Sequence, residues 1–340
     1  MLKLFAHVAW IALSTGSAIA APLSASPTAA PARPVAASVQ QAANLQVAAL
    51  EKQIQGRIGV AFRLLETGEG GAVAGSERFP MASTFKVAVA GTLLSLVDKG
   101  QMRLDRMVTI TQADVDRTGE VANRLIHPGI ALSVANLMEL MLTQSNNTAT
   151  DKILALAGGP AAVTAWLRAN GIAEMQVDRD VNSLLNDFYN VPPGSPFVKV
   201  VMARGLSDAE LEKASYTANA AFEQDRRDTS APSAMVDLLA KLLAGPLLTP
   251  ESRTFLRGVM ERCETGQARI KGLLPAGTTV AHKTGTIGGS VNDVGVVTLP
   301  GERGHLVIAV FTRSSSLPAA QRERAIAEIS RSLFDYFAMR

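Results

Sequence analysis

Cysteine is almost missing. Cys263 is the only one in 340 residues, so no disulfide can form within the chain and the fold must be held by its core. Histidine is scarce as well. Of the four, His7 lies in the leader, and His127, His282 and His305 stand far apart without carboxylates at ligand spacing, which argues against a zinc or iron site. Metal-free and cofactor-free chemistry is therefore expected. No sign of charge dominates, with 33 basic against 30 acidic residues. The basic residues are scattered, Arg226 and Arg227 are flanked by Asp225 and Asp228, and no aromatics interleave with them, so a nucleic-acid partner is not expected. A membrane span is not expected either: it needs about 20 mostly apolar residues, and the run from Leu4 to Leu13 is shorter and contains His7.

That short run follows Lys3 and ends in small residues at Ala18-Ile19-Ala20, which reads as a secretory signal peptide over residues 1–20 and implies a secreted, periplasmic protein. Residues 21–40 are rich in alanine and proline with almost no large apolar side chain, and are expected to form a flexible leader. Residues 41–340 remain as one large domain with a substantial core. Nothing in them calls for an oligomer, so a monomer is expected.

Ile58, Val60 and Phe62 alternate as in a strand, and Gly68, Gly70 and Gly71 mark a turn. Residues 279–284, 293–299 and 305–312 are further strand-like runs. Between the two groups lie helical signals over 84–99, 133–144, 147–157 and 229–244, with another helix starting at Thr249-Pro250-Glu251 and a last one over 318–337. The order of strands, many helices, strands and a helix predicts a mixed α/β (α+β) fold. In it, an antiparallel sheet is flanked by terminal helices and carries an inserted all-helical lobe over about residues 100–250.

Three short segments carry chemistry. In Ser83-Thr84-Phe85-Lys86 a serine opens a helix and a lysine follows one turn later on nearly the same face. A serine hydroxyl is a poor nucleophile until a base takes its proton, and a neutral amine one turn away can do so. The helix start adds N–H groups able to hold an oxyanion. Ser145-Asn146-Asn147 places a hydroxyl and two amides at an interhelical turn, and Lys283-Thr284-Gly285-Thr286 closes a strand-like run. Alone, each segment reads equally as a helix cap or a surface strand. Together and in this order they match the Ser-x-x-Lys, Ser-Asp-Asn and Lys-Thr-Gly signature of class A β-lactamases and penicillin-binding proteins.

The sequence resembles class A β-lactamases from about Ile58 to its final helix. Beyond the three motifs, Phe79-Pro80-Met81-Ala82, Asn147-Thr148-Ala149, Gly158-Gly159-Pro160, Asp228-Thr229 and Leu274-Pro275-Ala276-Gly277 also look like that family. The resemblance implies a serine hydrolase in which Ser83 attacks a β-lactam carbonyl, Lys86 takes part in proton transfer and Ser145 passes a proton to the leaving nitrogen. It also implies that Asn147 binds the substrate side-chain amide and that Lys283, Thr284, Gly285 and Thr286 line the substrate site. Lys283 and Thr284 would hold a substrate carboxylate, and the N–H groups of Ser83 and Thr286 would form the oxyanion hole.

The match is imperfect in informative places. Asn146 stands where the family usually has aspartate. Val181 falls where the family's deacylating glutamate is expected, within Arg179-Asp180-Val181-Asn182, and valine cannot act as a base. The loop from Arg179 to Asp228 is much extended, with 48 residues between its ends and a short helix expected over 207–214. Loops of this length inside a domain are usually functional lids or disordered. Asp180, Asp187, Glu210, Glu212 and Glu223 are candidates to replace the missing carboxylate, and Arg313 and Arg322 to assist Lys283. The expected activity is β-lactam hydrolysis with atypical deacylation. The rivals are a D-Ala-D-Ala peptidase, amidase or esterase of penicillin-binding-protein type, and a module that is acylated once and stays so.

Overall fold

The computed structural model describes residues 30–118, 129–205, 210, 213, 215–339. Ten strands are defined: β1 (Arg33–Pro34), β2 (Arg57–Leu64), β3 (Glu69–Val73), β4 (Phe79–Pro80), β5 (Met107–Ile110), β6 (Ile130–Ser133), β7 (Thr229–Ser230), β8 (Val280–Ile287), β9 (Ser290–Thr298) and β10 (His305–Arg313). The helices begin with α1 (Ala37–Ile54), α2 (Lys86–Asp98), α3 (Gln112–Thr118), α4 (Val134–Thr143), α5 (Asn147–Leu156) and α6 (Gly159–Ala169). They continue with α7 (Val181–Phe188), α8 (Phe197–Ala203), α9 (Ala220–Gln224), α10 (Pro232–Leu243), α11 (Pro250–Glu261) and α12 (Ala319–Ala338).

The main sheet has the order β1-β3-β2-β10-β9-β8, antiparallel throughout except where β1 joins β3 in parallel. Strand β10 lies between β2 and β9, and its side chains alternate between two cores as a period of two requires. Leu306, Ile308 and Val310 pack with the terminal helices α1 and α12, whereas Val307, Ala309 and Phe311 join the larger cluster under the helical lobe. Strands β8 and β9 carry the lobe-facing residues Ala281, Val294 and Val296 into that larger cluster. The expected architecture of a sheet between terminal helices and an inserted helical lobe is what the chain adopts.

Two differences from the sequence reading concern its ends and its loop. Residues 33–40, which composition assigns to the leader, form β1 and the first turn of α1. Val35 is buried, the N–H groups of Arg33 and Val35 donate to the Gly68 and Gly70 carbonyls at 2.9 Å, and the Gln40 amide donates to the Ala72 carbonyl at 2.8 Å. The short helix expected over 207–214 falls mostly outside the described residues. The start signal at Thr249-Pro250 does operate as expected: the Thr249 hydroxyl accepts from the Ser252 N–H at 3.3 Å.

Candidate active site

Ser83 lies on a single 3₁₀ turn, Ala82–Phe85, which runs directly into α2 at Lys86. The turn is positioned from both sides. Before it, Phe79–Pro80 pairs with Thr229–Ser230, and the Met81 N–H donates to the Asp228 carbonyl at 3.0 Å. The Asn292 amide reaches across from β9 to the carbonyls of Pro80 at 2.8 Å and Met81 at 3.1 Å. After it, β8 lies at the open edge of the sheet against the serine. A Cβ on Gly285 would sit 2.6 Å from the Met81 carbonyl and 3.0 Å from the nitrogens of Ser83 and Thr84, so only glycine allows this approach.

Strain collects at the same place. Ala82 has φ +46° and Ser145 has φ +60°, conformations that cost a non-glycine residue roughly 1–2 kcal/mol each. Such strain persists where surrounding structure over-determines it, often at functional sites. Ser145 is the middle residue of the three-residue link between α4 and α5, and Asn146 caps α5, its side-chain oxygen accepting from the Ala149 N–H at 2.9 Å. The Asn146 carbonyl accepts from the Thr150 hydroxyl at 2.6 Å. An amide in place of the usual carboxylate thus still caps the helix that carries Asn147.

The first two motifs meet through one amine, and the third approaches the serine turn through Gly285. Lys86 is fully buried, and its Nζ donates to the Ser145 carbonyl at 2.5 Å, to Ser145 Oγ at 3.1 Å and to Asn147 Oδ1 at 2.9 Å. Lys283 is equally buried, with Nζ 2.9 Å from the Thr284 carbonyl, and the Thr284 hydroxyl shares a 2.6 Å hydrogen bond with that of Thr265. By contrast Ser83, Ser145, Asn147 and Thr286 are only partly buried. The two lysine amines are therefore withdrawn into the protein, while the residues that carry the hydroxyls and the amide stay partly exposed. That arrangement can place a hydroxyl nucleophile, a proton relay and an anion clamp around one carbonyl compound.

Over residues 42–337 the chain matches the "Beta-lactamase enzyme family". The chain belongs to the β-lactamase enzyme family. Among solved structures it is similar to an ancestral class A β-lactamase, at 35% identity and a TM-score of 0.71, over 86% of this chain and 99% of that one. A β-lactamase from Chitinophaga pinensis is similar at 29% identity and a TM-score of 0.70, covering 87% of this chain and 99% of the other. The fold is that of the class A β-lactamases.

Within this fold the extended loop is clasped at its neck. Arg179 Nε lies 2.6 Å from Asp228 Oδ2, and Nη1 reaches Asp187 at 2.7 Å and Asp225 at 3.3 Å. Asp228 Oδ1 also accepts from the N–H groups of Asp178 and Arg179. The guanidinium stacks 5.3 Å from the Phe222 ring centre. Helix α7 then lays Leu184 and Phe188 against Ala82 and Ile287, the neighbours of Ser83 and Thr286. Phe188, Tyr189, Phe197 and Phe222 form a chain of ring contacts 4.9–5.2 Å apart, so a sequence with few aromatics concentrates four of them in the extended loop.

Val181 is buried in the large lobe-side cluster, and its N–H donates to Asp151 Oδ1 at 2.7 Å. Asp151 sits one turn after Asn147 on the same face of α5 and also accepts from the Asn182 N–H at 3.3 Å. Burial, then the neighbouring Asp180, push the Asp151 carboxyl up to about 7 against the pull of those two N–H groups and Arg117.

The candidate replacement carboxylates are engaged elsewhere. Asp180 caps α7 through the Ser183 N–H at 2.7 Å and pairs with Arg117 at 2.6 Å. Asp187 is held by Arg179 and by Arg227 at 2.9 Å. Glu223 accepts from the Ser314 N–H at 3.1 Å and hydroxyl at 2.6 Å. Glu210 also has a polar partner, and Glu212 lies outside the described residues. Neither candidate arginine meets Lys283. Arg313 pairs with Glu77 and stacks on Phe79, and fully buried Arg322 binds the carbonyls of Tyr216, Gly288, Ser315 and Leu317.

A different arginine, Arg269, reaches the end of β8. Its Nη2 donates to Thr286 Oγ1 at 2.7 Å and its Nη1 to the Gly285 and Asn292 carbonyls, while Glu323 holds Nε at 3.0 Å. No local motif surrounds Arg269 in the sequence; only the fold brings it to the end of β8.

Proposed function

We propose that the protein is a serine β-lactamase that opens the lactam ring through an ester on Ser83 and releases the product slowly. The observation that carries this reading is the set of contacts at Lys86, whose single amine joins the serine-bearing turn to both Ser145 and Asn147. In the acylation step Lys86 accepts the Ser83 proton as Oγ adds to the lactam carbonyl. The N–H groups of Ser83 and Thr286 receive the oxyanion, and Ser145 Oγ relays a proton to the departing nitrogen. Lys283, Thr284 and Arg269, the last acting with the Thr286 hydroxyl, form a positive and donor-rich clamp for the substrate carboxylate.

Deacylation is the slow half in this reading. A water must be activated at the ester, and Val181 offers no base where the family pattern has one. Loop carboxylates are already engaged: Asp180 in a helix cap and an ion pair, Asp187 in ion pairs, and Glu223 in hydrogen bonds from Ser314. Export to the periplasm, read from residues 1–20, belongs to the same proposal and fits a substrate met outside the cytoplasm.

Mixing the protein with a chromogenic cephalosporin while following product and intact mass tests the reading. The expected result is a stoichiometric burst, an adduct mapped to Ser83, and slower sustained turnover, all lost in Ser83→Ala. A stable adduct without turnover would identify a once-acylated binding module. Cleavage of D-Ala-D-Ala peptides without cephalosporin turnover would identify the peptidase reading, and turnover that survives Ser83→Ala would refute all of them.

A further inference from the structure

The far end of β8, past Thr286, carries a part of the extended loop that the acylation chemistry does not use. The Gly288 N–H donates to the Ser215 carbonyl at 2.7 Å. Arg322 spans the same junction: its fully buried guanidinium donates through Nη1 to the Gly288 carbonyl at 3.1 Å and through Nη2 to the Tyr216 carbonyl at 3.3 Å. The segment is tied down further along as well. The Ala218 N–H donates to the Ser316 hydroxyl at 3.4 Å, Asn219 Nδ2 donates to the Phe188 carbonyl at 3.3 Å, and Glu223 accepts from the Ser314 N–H and hydroxyl.

Two glycines let the loop come this close. A Cβ on Gly288 would lie 2.9 Å from the Phe188 ring and 3.0 Å from the Thr217 carbonyl, and one on Gly289 would meet a Glu223 carboxylate oxygen and lie 2.8 Å from the Ser314 nitrogen. The loop therefore rests on main chain that has no side chain to hold it off. Phe188 belongs to the same small cluster as Ala82 and Ile287, so the covering continues from Gly288 back to the turn of Ser83. In the proposed chemistry the substrate carboxylate is held at Lys283 and Thr284, and the carbonyl oxygen at the Thr286 N–H, farther along β8. An edge strand offers unpaired main-chain groups along which an extended chain can pair. A substrate laid on β8 that continues beyond its reacting carbonyl thus runs toward Ile287 and Gly288, where residues 215–218 already lie.

We propose that residues 215–218, held on Gly288 by Arg322, form a stop at the end of β8 that confines the site to compact acyl donors. β-Lactams with a small acylamino group end before the stop. A peptide held at Lys283 by its C-terminal carboxylate and attacked by Ser83 has its remaining residues directed into the stop and is excluded. A cephalosporin with a bulky, branched acylamino group is admitted poorly for the same reason. Arg322 is a positioning residue here: it touches the loop and the turn after β8, not the substrate. The selectivity rests on the β-lactamase reading of Ser83, whereas the contact between loop and strand does not.

The test compares the parent with Arg322→Met and with Glu223→Ala, which frees the segment from Ser314 and leaves Arg322 in place. Deuterium exchange over residues 215–224 and 286–290 is followed together with kcat/KM for benzylpenicillin, for a cephalosporin with a branched oxyimino acyl group, and for the peptide diacetyl-Lys-D-Ala-D-Ala. The parent is expected to protect both segments, to favour benzylpenicillin and to leave the peptide uncleaved. A folded variant is expected to exchange faster in both segments. It should also gain about tenfold in the ratio of kcat/KM for the bulky cephalosporin to that for benzylpenicillin, chiefly through KM. Peptide cleavage by the parent at a kcat/KM like that for benzylpenicillin overturns the stop. So does fast exchange over 286–290 in the parent, or an unchanged ratio in a variant whose exchange has risen. Parental exchange in both variants overturns the hold on the loop. Exchange needs no substrate, so protected segments in a parent that forms no ester on Ser83 would refute the activity, and the selectivity with it, but not the contact.

Discussion

Arg179 and Asp228 stand 49 positions apart in the chain, yet Nε and Oδ2 meet at 2.6 Å with both side chains almost wholly buried. The pair closes the extended loop at its neck and brings the Asp228 carbonyl to the Met81 N–H, two residues before Ser83. The loop is therefore tied to the nucleophile's own turn.

Removing one partner of a buried pair leaves the other charge uncompensated, at a cost of about 3–5 kcal/mol. In Asp228→Ala the cost is expected near the lower end, because Asp187 and Asp225 still face Arg179. Two N–H groups, of Asp178 and Arg179, also lose their acceptor. Urea unfolding should show the loss, and limited proteolysis should cut first within 189–219. A variant with parental stability and protease resistance would show that the clasp does not hold the loop.

Gly285 governs how closely β8 approaches the serine. All three atoms that a Cβ would meet belong to the backbone of Met81, Ser83 and Thr84, so no side-chain rotation can make room. Gly285→Ala is expected to push the strand and the turn apart by a fraction of an ångström, lowering kcat/KM for a chromogenic cephalosporin about 10- to 100-fold. The overpacking should also cost about 1–3 kcal/mol in thermal or urea unfolding. Parental kinetics in this variant would mean that the Ser83–β8 spacing does not set the reaction geometry.

What was legible in the sequence was what is local. Ser83 and Lys86 are one helical turn apart, Ser145 to Asn147 fill one turn, and Lys283 to Thr286 share one strand end, so short spacing carried their chemistry. Arg179 and Asp228 were legible only through the family resemblance. Arg269 and Asp151 were not, since each acts on a segment contributed from elsewhere in the chain: the end of β8 in one case and the loop backbone in the other. Helix α1 did leave a signal, with Val47, Leu50 and Ile54 at helical spacing, but its alanine- and glutamine-rich surroundings obscured it. Asp180 shows the converse error. Its position beside Val181 suggested a base, whereas a residue just before a helix is in the place where a carboxylate caps N–H groups.

Asp151 gives the molecule a pH dependence of its own. Its carboxyl is raised from an ordinary value near 4 to about 7 in the folded state, chiefly by burial. The folded protein thus binds this proton more tightly than the unfolded chain does. The resulting stability is fully present below about pH 4 and is lost as pH rises through 7; its full size is on the order of a few kcal/mol. Asp151→Asn keeps the shape and stays neutral. Its side-chain oxygen can still accept from the Val181 N–H, now at 2.7 Å, at the expense of the longer contact to Asn182 at 3.3 Å. Melting temperatures from pH 4 to 8 should therefore fall less steeply in Asp151→Asn than in the parent, with the gap opening between about pH 4 and 7 and constant above that. Parallel curves would place the Asp151 proton outside the folding equilibrium and would mean that the carboxylate is ionised under the loop throughout this range.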